Sequence, residues 1–122
     1  MYLIGAAHRH KTDAQRLMER LISDRERLVT DAEVVQEILH RYVAINRRDA
    51  IQPAFDTLLG VTDQVLPVDL DATNRAKDVV MGHPGISARD ALHLAIMEAH
   101  GIQKIASFDR GFDGFPGIVR LS

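Results

Sequence analysis

Apolar and polar residues follow one another along this chain with two different periods, and the changes of period mark out its elements. Ala14, Leu17, Met18, Leu21 and Ile22 recur at spacings of three and four, which makes one apolar helix face opening after His10-Lys11-Thr12-Asp13. Arg16, Glu19 and Arg20 fall off that face. Residues 27–30 read as a short strand. Thr30-Asp31-Ala32-Glu33 has the form of a capping box, and Val34, Val35, Ile38, Leu39 and Tyr42 form the apolar face of the helix it opens. Residues 50–59 predict a third helix, with Pro53 in its first turn and Gly60 as its stop. Residues 64–68 form a strand that Pro67 places at an edge or an end. Asp71 or Thr73 caps a helix through Ala76, Val79, Val80 and Met81. Ser87-Ala88-Arg89-Asp90 is a second capping box, opening a strongly apolar helix through Ala91, Leu92, Leu94, Ala95, Ile96 and Ala99. Strands at 104–107 and 118–121 flank a turn-rich loop.

Short strands alternating with helices predict an α/β fold with a mostly parallel sheet covered on both faces. No linker or repeat divides the chain, so residues 1–122 are expected to form one domain. Its 46% hydrophobic and 26% charged residues are the balance of a folded chain, not of a disordered one. Cysteine is absent, which excludes a disulfide framework, a thiolate zinc site and a cysteine nucleophile. No apolar run reaches the ~20 residues of a membrane span, and the apolar first residues lack a basic flank, so a cytoplasmic protein is expected. The net charge of −2 argues against a general nucleic-acid coat. Phosphate-binding glycine loops and the Gly-x-Ser-x-Gly elbow are missing. The six histidines include no His-x₃-His pair, and His93 and His100 are about 10 Å apart along their helix. A zinc hydrolase therefore has little support.

Carboxylates are the remaining candidates. In open parallel sheets ligands gather beyond the C-terminal strand ends, beside helix N-termini. Glu37, Asp90 and Asp109 each follow a strand or open a helix, and Asp113 lies four residues past Asp109. Each also has a plainer reading. Asp90 completes a capping box, Asp109 and Asp113 suit turns, and Glu37 can pair with Arg41 one helical turn on. If the acids do meet, their repulsion calls for a cation. An oxygen-only donor set favours Mg²⁺, with Mn²⁺ as the other choice.

Three blocks, taken together, resemble the PIN-domain family, in particular its VapC-type toxins. They are Leu28-Val29-Thr30-Asp31-Ala32-Glu33-Val34-Val35-Gln36-Glu37-Ile38-Leu39, Ala88-Arg89-Asp90-Ala91-Leu92-His93-Leu94-Ala95 and Ile105-Ala106-Ser107-Phe108-Asp109. The resemblance implies a three-layer α/β/α PIN-like domain and a Mg²⁺-dependent endoribonuclease. It implies as partners a small antitoxin encoded beside the toxin, an RNA substrate and a second copy in a homodimer, with no membrane. Glu37, Asp90 and Asp109 match family metal-site acids that hold the ion and activate water, and Asp113 matches a more variable fourth. Arg89 would orient Asp90 or touch a phosphate. Arg9, Lys11, Arg47 and Arg48 are further basic candidates for RNA. One departure stands out. The family opens on a hydrophobic strand ending in Asp, and here 1–5 match the apolar stretch after it. The strand and its acid are thus expected to lie upstream of Met1, and the 122-residue form is expected to have low activity. The alternative is a catalytically weak PIN-like remnant that binds an antitoxin or a second copy of itself.

Overall fold

The computed structural model describes residues 1–5, 11–107, 112–113 and 117–121, with backbone alone for 11–14. In chain order the elements are β1 (Tyr2–Ile4), α1 (Lys11–Ser23), β2 (Leu28–Asp31) and α2 (Ala32–Ala44). A 3₁₀ turn (Arg48–Ala50) leads into α3 (Ile51–Val61). Then come β3 (Gln64–Leu66), α4 (Leu70–Gly82), α5 (Ala88–Ala99), β4 (Lys104–Ala106) and β5 (Val119–Leu121). All four strand pairings are parallel, in the order β3-β2-β1-β4-β5.

Alternation along the strands divides the core into two layers. Leu3, Val29 and Ile105 point to one face, where Ala72 of α4 and Leu94, Ile96 and Met97 of α5 cover them. Ile4, Leu28 and Ala106 point to the other, under Leu17 and Leu21 of α1 and Leu58 of α3. Helices thus cover both faces of the sheet, as an all-parallel sheet requires.

Residues 2–4, expected to belong to the apolar stretch after the family's opening strand, themselves form a strand in the middle of the sheet, paired with β2 on one side and β4 on the other. Their apolar side chains alternate to both layers, so this short run satisfies the neighbouring backbones itself. Gly5 follows β1 directly. Its N–H donates to the Ala106 carbonyl, and a Cβ there would lie 3.3 Å from Ser107. Glycine thus lets the ends of β1 and β4 close together.

Helix ends differ by a residue or two from the sequence pattern. The α2 cap is Asp31, not Thr30, because β2 pairs through Asp31 with Leu66 and Thr30 stays in the strand. Thr30 instead donates its hydroxyl to the Ile4 carbonyl at 3.0 Å. Asp69, rather than Asp71 or Thr73, caps α4 by accepting from the Ala72 N–H at 2.8 Å. α3 runs through Gly60 to Val61, where the Thr62 N–H and hydroxyl both donate to the Leu58 carbonyl.

Candidate active site

The C-terminal ends of β1 and β2 lie where α2 and α5 approach each other, and an arginine–carboxylate ion pair and a histidine–carboxylate hydrogen bond link the helices there. Ser87 accepts the Asp90 N–H at 3.0 Å, the N-cap half of the expected capping box, which fixes the start of α5. That places Arg89 and Asp90 in the first turn. Glu37 is 8% exposed, and Arg89 donates to its Oε1. The expected pairing of Glu37 with Arg41 is therefore replaced by one across the fold. Arg89 reaches the Glu37 carboxylate, and through it the first turn of α5, with Asp90, is tied to α2.

The second pair involves residues that the sequence pattern did not single out. Asp31 is fully buried. Its Oδ1 accepts the Val34 N–H at 2.9 Å, and its Oδ2 accepts from His93 Nδ1 at 2.5 Å. The carboxylate can only accept, so the proton of this bond sits on Nδ1. His93 is 4% exposed, and its ring lies tilted against Phe112, centroids 6.4 Å apart. Two signals were present in the sequence: an acid ending a fully buried strand, which must find a partner, and a histidine one turn beyond Asp90. What the sequence lacks is any local link between positions 62 residues apart.

Asp113 lies nearer β5. Arg120 donates to both of its carboxylate oxygens, at 2.8 and 3.2 Å, and also to the Ser107 carbonyl past the end of β4. Asp109 lies outside the described residues. Among the described residues, no three of His, Asp and Glu come close enough to hold a metal ion. The acids do fit a hard cation in donor type, being oxygen-only, and His93 Nδ1 is engaged by Asp31.

Arg9 and the side chain of Lys11 lie outside the described residues. Arg47 grips Asp49 with two hydrogen bonds of 3.1 Å, and that pairing raises the guanidinium above its ordinary value. Arg47 and Arg48 follow α2, at least ~10 Å along its axis beyond Glu37.

Residues 1–118 match the PIN domain. The chain belongs to the PIN-domain family. Within it, this PIN domain groups with VapC proteins. It is 60% identical over all 122 residues to ribonuclease VapC13 of Mycobacterium tuberculosis, covering 93% of that protein. Among solved structures it resembles M. tuberculosis VapC20, a Sarcin-Ricin loop cleaving toxin, with a TM-score of 0.74 and 22% identity over 97% of this chain and 98% of that one. A toxin-antitoxin complex from Klebsiella pneumoniae gives 0.70 at 14% identity, covering 98% and 96%. These two establish the three-layer PIN-like α/β fold of the chain. Among the described residues, no helix is long and apolar enough to cross a membrane.

Proposed function

We propose that this PIN domain is the ribonuclease toxin of a toxin–antitoxin pair and hydrolyses RNA phosphodiester bonds at a carboxylate-held Mg²⁺, with Mn²⁺ able to substitute. The observation that carries the reading is the 60% identity to a VapC ribonuclease along the whole chain, joined to the meeting of α2 and α5 at Glu37 and Arg89, next to Asp90 in the chain. Glu37, Asp90 and Asp109 would hold the ion, with Asp113 as a more peripheral acid. When bound, a divalent cation lowers the pKa of water and neutralises charge building on a phosphate. Glu37 contributes a carboxylate already turned toward α5, and Asp90 one whose backbone the Ser87 cap holds fixed. Arg89 would neutralise Glu37 in the metal-free protein. Its remaining guanidinium donors suit a phosphate.

The test is cleavage of structured RNA by the full chain. Glu37→Gln, Asp90→Asn and Asp109→Asn are each expected to lower the rate more than ~100-fold, since each removes a ligand. Cleavage that survives EDTA or Asp109→Asn would overturn the metal mechanism. The antitoxin is expected to be the product of the adjacent gene, and co-purification with it tests that part. The solved toxin–antitoxin complex of the same fold supports this partner. A second reading, a binding module with little activity, is favoured by Gly5, which leaves the end of β1 without a carboxylate. Antitoxin binding without any Mg²⁺-dependent cleavage would establish it.

A further inference from the structure

The start of α2 and the body of α5 are also joined by the buried Asp31–His93 pair. Because it is buried, it cannot itself meet RNA. We infer that Asp31 and His93 are positioning residues: their hydrogen bond sets how α2 and α5 cross, and so the placement of Glu37 relative to Asp90. This rests on the reading of Glu37 and Asp90 as cation ligands.

Three observations carry the inference. The first is the order of the pairs. Asp31 precedes Glu37 on the α2 side, while His93 follows Arg89 on α5, and the bonds join Asp31 to His93 and Glu37 to Arg89. The two helices are therefore cross-linked at two separated levels, about 9 Å apart along α2 and 6 Å along α5. A single link leaves a pivot; two fix the crossing. The second is saturation. Both oxygens of Asp31 are engaged, one by the α2 cap N–H and one by His93, and neither side chain has room to turn. Moving His93 would therefore disturb the first turn of α2 as well as α5. The third is the far side of the ring, which rests on Phe112, itself 2% exposed and adjacent to Asp113. One imidazole thus touches the strand-to-helix corner before Glu37, the helix bearing Asp90 and the segment bearing Asp113.

Burial alone does not explain the choice of residues. Apolar side chains of similar volume usually replace a buried ionic pair without loss of stability. A histidine–carboxylate pair adds a directional bond of fixed length, which suits holding ligands at a set separation.

The test is Mn²⁺ binding by calorimetry on the full chain, alongside the Mg²⁺ concentration for half-maximal RNA cleavage and the metal-free melting temperature. His93→Ala is expected to weaken Mn²⁺ binding about 10- to 100-fold and to raise the Mg²⁺ requirement in parallel, the range for residues that orient metal ligands. His93→Asn, whose amide places an N–H close to that of Nδ1, should recover most of the loss. Leu21→Ala, a core change on the opposite face of the sheet, lowers the melting temperature and should leave Mn²⁺ affinity unchanged. If His93→Ala matches Leu21→Ala in both readouts, the pair is merely structural and the inference fails. Should His93→Ala not fold, Asp31→Asn decides by the same comparison, since it keeps the cap acceptor and volume while removing the carboxylate. A wild-type chain that binds no Mn²⁺ would overturn the ligand assignment itself. Wild-type binding with unaltered affinity in the variants would overturn only the positioning role.

Discussion

Helix α5 meets its two helical neighbours by opposite means. Against α4 it presents Ala91 and Ala95, 0% and 2% exposed, which pack on Ala76 with Val79, Ile86 and Leu92 around them. Against α2 it presents Arg89 and His93, each bonded to a carboxylate. The buried alanine seam is close packing of apolar groups, the kind of contact that supplies net stability, and the one ion pair described between α4 and α5, Arg75–Glu98, lies exposed at its rim. The charged side must strip water from ions before it gains anything, so it is a poor source of stability and a good source of fixed geometry. One helix thus separates what holds the fold from what carries the chemistry.

The comparison is broken most severely by enlarging the alanine side. Ala91→Leu inserts side-chain volume where no space exists and is expected to cost about 1–3 kcal/mol or more, lowering the melting temperature by several degrees. Cleavage per folded molecule, assayed well below that temperature, should remain near wild type. Loss of activity at full folding would mean that the two sides are not separable. Arg89→Gln acts on the other side. Arg89 is half-exposed, so the stability cost is expected near 1 kcal/mol in the metal-free protein. With the guanidinium charge gone, Mg²⁺ should raise the melting temperature by more than it does in the wild type, because the ion then neutralises Glu37 without competition. Calorimetric melts with and without Mg²⁺ check both statements. A smaller rise than in the wild type would show Arg89 assembling the site instead of shielding it.

The same division decides what could be read from the sequence. The alanine and aliphatic periodicities gave the helices, the strands and the layered α/β arrangement, because apolar spacing is a local property that burial follows directly. The charged side was legible only in parts. Thr30 and Asp31 are both good caps and sit side by side, and only the pairing of β2 with β3 decides between them. Glu37 does lie off the apolar stripe of α2, yet it is buried while Leu39 on that stripe is 42% exposed. The reason is tertiary: α5 lies over the Glu37 side, and nothing within α2 records that. The family resemblance singled out Glu37 and Asp90 where periodicity could not. Asp31 and His93 went unpaired in the sequence reading because a bond across the chain leaves no periodic trace.

The smallest expected effect comes from a pair that shares the chemistry of the α2–α5 bridges but not their burial. Arg47 and Asp49 are held by two hydrogen bonds, with side chains 60% and 70% exposed. The hydrogen bond from Arg47 holds the Asp49 carboxyl below its ordinary value. A depressed value means that the pair stabilises the fold above the ordinary carboxylate range and loses that contribution as pH falls through the depressed value. Asp49→Asn should therefore lower the melting temperature only slightly at neutral pH. The difference from wild type should vanish in acid below the usual carboxylate range and shrink with added salt, because water and ions screen an exposed pair. Melts of both proteins across pH and salt measure it. An effect as large as that of Arg89→Gln would mean that burial is not what distinguishes the bridges at the candidate site. The contrast between the two sides of α5 would then rest on charge alone.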